Sequence, residues 1–292
     1  MLCLLFGLFT NFVLAQETVT DMNGNIYQTV VINEKVWTLS NYRGTKYADG
    51  TCIPSGLSNT SWAANTDGAC AASPTGAASI YGLLYNGYAV RNTSHGGIAV
   101  PAGWRIATDE DWQALETYLG MTTTDLTLSD WRGASASVGR KLKSKTADWQ
   151  AGPVGTAGTD TVGFKALPAG TRAFDGTLSY ANQRAVYWTP SEGTNATYRR
   201  VITYNRVDIH RTNLNKKEGE SIRLVKIISP PVQMMNYNRI EKIDLKQHNV
   251  ISAIVFPNPL EGTSVNLVLK GYQGKMLSIR LIGLNGNVVQ QW

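Results

Sequence analysis

Residues 101–120, with the sequence PAGWRIATDEDWQALETYLG, constrain the fold most, because they join a short strand to a helix that is marked at both ends. Trp104 lies in an alternation of apolar and polar residues that is typical of a half-buried strand. Thr108 stands at an N-cap position, and Asp111 completes a capping box with it. Gly120 can adopt the left-handed conformation that ends a helix. The stretch therefore predicts a short strand followed by a helix between Thr108 and Gly120.

The two tryptophans of this stretch, Trp104 and Trp112, could form either a ligand platform or part of the core. Trp112 falls on the same helical face as Leu115 and Leu119. Aromatic residues at helical spacing beside leucines usually pack inside a protein. We therefore predict that both tryptophans are core residues.

The rest of the chain alternates short β-patterned runs with turns. Residues 18–39 predict a β-hairpin with an Asn-Gly turn at residues 23–24, and residues 162–180 and 198–225 continue the β pattern. A second short helix is predicted at residues 137–144. Only 16% of the 292 residues are charged, which is typical of loop-rich extracellular β proteins. The predicted class is α+β, with two short helices and antiparallel strands.

The amino terminus, residues 1–15, is an apolar run that ends in Val13, Leu14 and Ala15, before Gln16. Small residues at this position indicate a cleavage site, and the run is too short to span a membrane. We therefore predict a signal peptide over residues 1–15 and no transmembrane segment. The run lacks the basic residues that begin a complete signal, so we expect that the gene starts further upstream.

Two cysteines, Cys52 and Cys70, remain once the signal peptide is removed. An even pair in an exported chain predicts a disulfide, and closing this Ser-rich and Gly-rich loop would stabilise the fold by about 3 kcal/mol. Neither cysteine lies at metal-ligand spacing from another cysteine or from a histidine. No metal and no other cofactor is predicted.

Seven segments in a fixed order carry a resemblance to a known family. They are TVTDMNGNIYQTVVI at residues 18–32, YGLLYNGYAV at 81–90, the stretch at 101–120, GRKLKS at 139–144, GFKALPAGTR at 163–172, YWTPSE at 187–192 and GESIRLVK at 219–226. In this order they resemble the Fibrobacter succinogenes major paralogous domain, a family of exported bacterial proteins. The resemblance implies a C-type lectin-like fold, which we expect over residues 16–228.

The resemblance also implies where a ligand would bind. C-type lectins that bind sugar through calcium use Glu-Pro-Asn, Gln-Pro-Asp and Trp-Asn-Asp tripeptides, whose oxygens hold the metal, and the sequence contains none of them. We therefore expect binding without calcium. Lectin-like folds bind through their late loop region, and this implies candidate contacts at Tyr187, Trp188, Glu192, Tyr198, Arg199 and Arg206. Core packing of Trp188 is the alternative.

The sequence shows no motif for catalysis. It has no nucleophile elbow, phosphate loop or dinucleotide fingerprint. The three histidines, His95, His210 and His248, are far apart and outside any metal-ligand motif. A hydrolase would need the fold to bring two carboxylates together, and the candidates are Asp160, Asp175, Glu192 and Asp208. We expect that the protein is not an enzyme.

The net charge of +6 is concentrated in residues 199–246, which contain eleven Lys or Arg and five Asp or Glu. Such a region could attract nucleic acid or acidic glycans. No binding motif accompanies the charge, so we expect an ordinary solvated basic face and no nucleic-acid partner.

The carboxyl-terminal part predicts a linker and a second module. Residues 229–249 are polar and begin with Ser-Pro-Pro, as linkers often do. Residues 250–292 resemble the C-terminal sorting domain of type IX secretion, a small β-sandwich marked by Phe-Pro-Asn-Pro, here residues 256–259. Any small immunoglobulin-like domain is the alternative. The pattern stops at Trp292 before its last strands, so we expect a partial β-sandwich.

These observations predict a secreted or cell-surface protein of a Bacteroidota-type bacterium, carried by the type IX secretion machinery. We expect it to bind a glycan or a surface protein without catalysis. Two alternatives stay open, a hydrolase that acts on polysaccharide and a structural component of the surface or of a filament.

Overall fold

The computed structural model describes residues 17–145, 148–192 and 197–227, and beyond them only four strands. The chain contains two compact units, Met1–Pro230 and Pro231–Trp292. Within the described ranges, no helix has the length and apolar character that a membrane crossing requires. The predicted signal peptide and linker lie outside the described residues.

Within its described residues, the first unit has fourteen strands and five short helices. The strands are β1 (Thr18–Thr20), β2 (Ile26–Ile32), β3 (Lys35–Thr38), β4 (Cys70–Ala72), β5 (Leu83–Asn86), β6 (Arg105–Ile106), β7 (Asp130–Arg132), β8 (Thr171–Arg172), β9 (Leu178–Ser179), β10 (Arg184–Glu192), β11 (Thr197–Thr203), β12 (Ile209–Leu214), β13 (Gly219–Glu220) and β14 (Leu224–Ile227). The helices are α1 (Asn59–Ala64), α2 (Ala78–Tyr81), α3 (Gly87–Val90), α4 (Asp109–Tyr118) and α5 (Val138–Leu142).

The strands form three sheets, and every pair of neighbouring strands is antiparallel. The first sheet has the order β1-β2-β3-β14-β6, the second β10-β11-β12-β7 and the third β4-β5-β13-β8-β9. The predicted hairpin turn at residues 23–24 is confirmed, with Gly24 at a φ of 78°. The first sheet pairs β14 with β3, so the end of the unit is joined to its beginning.

The predicted α+β class was wrong, because the described part of the chain is mostly β. The longest helix, α4, has 10 residues, and the other four have 4 to 6. All five helices lie in connections between strands. Helices of about one turn are too short to show a helical period in the sequence. The predicted second helix corresponds to α5, which is one of these short helices.

Helix α4 begins and ends as predicted. The Thr108 hydroxyl accepts a hydrogen bond from the Asp111 amide at 3.3 Å, and the Asp111 carboxylate accepts one from the Thr108 amide at 2.8 Å. Gly120 follows the helix with a φ of 98°. Burial raises the pKa of Asp111, but hydrogen bonds from Arg105 and Lys35 outweigh burial and bring this pKa to about 2. The helix start is therefore tied to β6 and β3.

Aromatic side chains form the centre of the core. Trp37, Trp112 and Phe164 lie edge to face with ring centroids 5.3 to 5.6 Å apart. The core role predicted for Trp112 is confirmed. Trp104 is partly buried and packs against a second cluster that contains Tyr42.

A buried ion network fastens α4 to the second sheet. Arg200 donates to Asp109 at 2.6 Å and to Glu116 at 2.7 Å, and Arg211 also binds Asp109 at 2.8 Å. Arg132 binds Glu116 at 2.8 Å. The predicted solvated basic face was therefore wrong at Arg200 and Arg211, which are at most 6% exposed, because their charges are used inside the fold.

Three buried cations hold irregular segments in place through backbone carbonyls. Each comes from one of the motifs GRKLKS, GFKALPAGTR and GESIRLVK, and each is at most 6% exposed. Lys143 donates to the carbonyls of Thr203 and Arg206, Arg172 to those of Leu57 and Gly176, and Arg223 to those of Thr38, Phe164 and Lys165. These motif residues are therefore structural, because carbonyls in long loops need donors when they are buried.

In the second unit, the described residues form two antiparallel strand pairs. One pair joins β15 (Ala253–Phe256) to β16 (Asn266–Leu269), and the other joins β17 (Arg280–Ile282) to β18 (Val288–Gln291). Residues 257–259 of the Phe-Pro-Asn-Pro mark lie outside the described residues.

Candidate functional site

Two of the six predicted ligand contacts lie in the core. Tyr187 and Trp188 are both 0% exposed on β10. Tyr187 packs against Trp112 with centroids 5.2 Å apart, and the Trp188 indole donates to the carbonyl of Tyr85 at 3.0 Å. The expectation that both are exposed was wrong, and core packing of Trp188 is confirmed. Consecutive residues of β10 are buried, as in a strand covered on both faces.

Three other predicted contacts are paired within the fold, although the Arg206 side chain is 42% exposed. Arg199 is paired with the buried carboxylate of Glu220. The Tyr198 ring lies 4.0 Å from a neighbouring guanidinium. Arg206 binds the Asp208 carboxylate through two nitrogens, each at 2.7 Å. Each of these side chains therefore already has a partner within the fold.

The predicted disulfide is not formed, since Cys52 and Cys70 are both free thiols. Cys70 lies on β4, and burial raises the pKa of its thiol to about 12, which keeps it protonated and unreactive. The segment between the cysteines is held by other contacts. The Cys70 amide donates to the carbonyl of Pro54 at 2.8 Å, and Arg172 donates to that of Leu57 at 2.7 Å.

The carboxylates proposed for a hydrolase each have a separate role. Asp160 and Asp175 accept backbone amides within turns, Asp208 pairs with Arg206, and Glu192 pairs with Arg91. Two histidines pair with aspartates, His95 with Asp49 and His210 with Asp130. Over the described ranges, no three His, Cys, Asp or Glu side chains are grouped so that they could hold a metal ion.

Glu192 is the one predicted contact that pairs with a residue lining an open polar depression. Its side chain is 61% exposed and forms an ion pair with Arg91 at the end of α3. Two cavities share Arg91, Asn92 and Thr93 in their walls, and their volumes are 180 and 410 Å³. We call these two cavities together the Arg91 groove. The larger one falls within the ~300–1,000 Å³ typical of small-molecule sites.

The walls of the Arg91 groove come from segments far apart in the sequence. The smaller cavity is lined by Thr66, Asp67, Tyr88, Arg91, Asn92, Thr93, Ser94 and Lys216. The larger one is lined by Val90, Arg91, Asn92, Thr93, Gly96, Gly97 and Pro190.

Helix α3 positions one side of the groove. The Asn86 side chain caps the helix by accepting from the Ala89 amide at 2.9 Å, and it also accepts from the Ala69 amide at 3.0 Å. The Gly87 amide donates to the carbonyl of Lys216 at 2.7 Å. A Cβ atom at Gly87 would lie 2.8 Å from the Lys216 Cα, so only glycine permits this approach.

Asn92 fixes the floor of the groove. Its amide nitrogen donates to the carbonyl of Asp67 at 2.9 Å, and its oxygen accepts from the His95 amide at 2.9 Å. The Arg91–Glu192 ion pair then joins α3 to the end of β10. The groove is therefore built by hydrogen bonds that belong to the fold and do not depend on a ligand.

Many polar groups in the groove are unused by the protein. No partner within the described residues is found for the side chains of Thr66, Asp67, Tyr88, Thr93, Ser94 and Lys216. The Nη1 atom of Arg91 is buried and also has no partner. Of the charged side chains, Arg91, Lys216 and Asp67 line the groove, while Glu192 lies outside its walls and pairs with Arg91. Because this ion pair neutralises Arg91, the groove offers both donors and acceptors without an excess of charge.

Sequence reasoning reached only Glu192, which pairs with Arg91 of this groove. Tyr88 and Pro190 lie in the family segments at 81–90 and 187–192, but only the fold brings them together with residues 66–67, 91–97 and 216. The Asn-Gly pair at residues 86–87 is a weak signal for the position of this groove, since it indicates a capped turn beside it.

Comparison with known proteins gives one family. The sequence pattern of the Fibrobacter succinogenes major domain matches residues 30–226. No curated protein and no solved structure matches the chain. The C-type lectin-like resemblance and the sorting-domain resemblance stay predictions from the sequence.

Proposed function

Because the chain belongs to the Fibrobacter succinogenes major domain family, we propose that it is an exported, non-catalytic binding protein. Its ligand is a glycan or a surface protein, and binding needs no calcium. The Arg91 groove is the observation that carries this proposal, because six of its polar side chains have no partners within the described residues.

The state of the carboxylates supports binding over hydrolysis. A glycosidase needs two carboxyl groups about 5 to 10 Å apart beside an open substrate site. Burial, and to a smaller extent the charge of Glu218, raises the pKa of Glu220 to about 7, as in a catalytic acid. Glu220 is 0% exposed, however, and its carboxylate forms an ion pair with Arg199. A substrate could not reach Glu220 in the described conformation.

Export is proposed from the two ends of the chain. We propose that residues 1–15 are removed as a signal peptide and that residues 250–292 contact the type IX secretion machinery. The full chain should be produced in a Bacteroidota host, followed by fractionation and determination of the mature amino terminus. Mature protein that begins at Gln16 on the surface or in the medium supports the proposal, and uncleaved protein inside the cell contradicts it.

Binding is tested with the purified full chain. It should be applied to a glycan array and to immobilised outer-membrane proteins, with calcium and then with a chelator. Saturable binding that persists in the chelator supports the proposal. Absence of binding to both the glycans and the outer-membrane proteins would instead favour a structural component. Self-association, followed by sedimentation, would then be the next measurement. Release of reducing sugar from any bound polysaccharide would contradict the non-catalytic assignment.

A further inference from the structure

The Arg91 groove narrows the ligand class of the proposed binding function. We propose that it binds uncharged saccharide hydroxyls, with the Arg91–Glu192 ion pair as the central hydrogen-bonding element. This inference rests on the proposed function, because it assigns a site and a ligand class to it.

The charge balance of the groove points to a neutral ligand. Arg91, Lys216 and Asp67 line the smaller cavity, and the charge of Arg91 is neutralised by its ion pair with Glu192, which lies outside the cavity walls. A site for phosphate or for a carboxylated polymer would be expected to have an excess of positive charge. This groove has none, although the whole chain has a net charge of +6. The surplus of cations lies elsewhere in the protein.

The mixture of donors and acceptors fits vicinal hydroxyl groups. A sugar hydroxyl donates one hydrogen bond and accepts others. The Lys216 ammonium can donate and the Asp67 carboxylate can accept, while the hydroxyls of Thr93 and Ser94 can do both. These groups have no partners among the described residues. A ligand with alternating donors and acceptors would satisfy them together.

The Arg91–Glu192 pair is suited to the centre of such a site. Glu192 is 61% exposed, so one of its carboxylate oxygens can accept from a ligand while the other holds Arg91. The Nη1 atom of Arg91 is buried without a partner, and a small turn of the guanidinium would present it to the groove. Hydrogen bonds to charged groups are stronger than those between neutral groups.

Partly apolar surfaces complete the groove. Tyr88 lines the smaller cavity and is half-buried, and its hydroxyl has no partner among the described residues. Pro190 lines the larger cavity, next to the backbone of Gly96 and Gly97. The carbon-bound hydrogens of a sugar ring pack well on surfaces of this kind. The two cavities could therefore hold adjacent sugar units on either side of Arg91.

The experiment uses the purified full chain and soluble polysaccharides in the presence of a chelator. The neutral probes are mannan, xylan and laminarin, and the acidic probes are polygalacturonate and heparin. We expect binding to at least one neutral probe that persists in about 1 M NaCl, where the Debye length is about 3 Å. Binding to acidic probes alone, with loss in salt, would overturn the neutral ligand class.

Groove variants test the site. We expect Glu192→Gln and Lys216→Gln each to weaken binding of the neutral probe about tenfold, as the loss of one charged hydrogen bond predicts. Glu110→Gln and Lys217→Gln are matched controls outside the groove, and wild-type affinity is expected for both. Tyr88→Phe removes only a hydroxyl and is the variant least able to disturb folding.

The outcomes separate this inference from the proposed function. If wild type binds a neutral probe and all groove variants bind it equally well, the site is wrong and the binding function stands. If no polysaccharide binds but an outer-membrane protein does, the ligand class is wrong and the binding function again stands. If the chain binds nothing, both proposals fail. Thermal unfolding of each variant must match wild type for a loss of binding to count as support.

Discussion

At the scale of single residues, buried cations donate hydrogen bonds to backbone carbonyls that regular strand ladders would satisfy in other folds. Arg223 is 0% exposed and donates to three backbone carbonyls and to the Asn41 side chain. Its guanidinium also lies 4.5 Å from the Phe164 ring centroid. One side chain therefore holds the end of β3, the segment after Phe164 and β14 together.

We expect Arg223→Met to destabilise the first unit by at least about 3 kcal/mol, because buried carbonyls would lose their donors at about 1–3 kcal/mol each. Chemical denaturation followed by tryptophan fluorescence measures this free energy. Lys226→Met on the same strand is the control, since Lys226 is exposed and surface changes usually stay within about 0.5 kcal/mol. Equal effects of the two substitutions would show that Arg223 is no special anchor.

Glu220 predicts how stability depends on pH. Burial raises the pKa of Glu220 to about 7, although Arg199 opposes this shift. The folded state therefore binds the proton more tightly than the unfolded state, whose pKa is near 4.5. The stability that this group contributes is complete below pH 4.5 and is lost as the pH rises through 7.

We expect Glu220→Gln to remove a decline of about 2 kcal/mol in the free energy of unfolding between pH 5 and pH 8. Burial lowers the pKa of His210, so this histidine has the opposite dependence in part of the same range. The measured quantity is therefore the difference between wild type and the variant. Parallel pH profiles for the two proteins would contradict the assignment, and Glu110→Gln should give such a parallel profile.

At the scale of elements, α4 depends on residues at its first turn more than on its own helical propensity. Asp109 accepts hydrogen bonds from Arg200 at 2.6 Å and from Arg211 at 2.8 Å. Burial raises the pKa of Asp109, but the hydrogen bonds and charges of these two arginines bring it to about 2. The carboxylate therefore stays ionised through the neutral range and anchors the helix to β11 and β12.

We expect Asp109→Asn to cost about 3–5 kcal/mol, because it leaves buried guanidinium groups without one of their counter charges. The neighbouring Glu110→Gln should change the free energy of unfolding by less than about 0.5 kcal/mol, since Glu110 is exposed. Urea denaturation at neutral pH compares them. A cost for Asp109→Asn as small as that of the control would mean that the arginines find other partners.

Local signals predicted the elements that local chemistry determines. The capped helix α4 and the turn before β2 follow from residues within a few positions of each other. Burial of Trp188 and Arg200 could not be predicted this way, because it depends on which strands and helices cover β10 and β11. Three of the helices are single turns that leave no period in the sequence. The α+β prediction failed for a different reason, since the one strong helix signal, that of α4, was given more weight than the many short strands.

At the scale of the whole molecule, the same limit explains why only Glu192 of the Arg91 groove was predicted. The groove combines residues from α3, from the end of β10 and from the turn before β13. In the sequence, each of these residues resembles an ordinary residue of a polar loop. The family motifs, in contrast, mostly mark the structural frame, as Lys143, Arg172 and Arg223 show. The groove takes Tyr88 and Pro190 from two of these motifs and Thr66, Asp67 and Lys216 from the segments between motifs.

The two compact units lead to a last prediction, on cooperativity. The two main clusters of buried hydrophobic residues lie between Tyr27 and Val225, so the first unit holds its own core. We expect removal of residues 231–292 to leave the midpoint of its thermal unfolding within about 2 °C of the full chain. Differential scanning calorimetry of both proteins gives these midpoints, and the ratio of calorimetric to van't Hoff enthalpy shows whether the transition stays two-state. This expectation follows because domains with independent cores unfold independently. A large drop in the midpoint after truncation would show that the second unit contributes stability to the first.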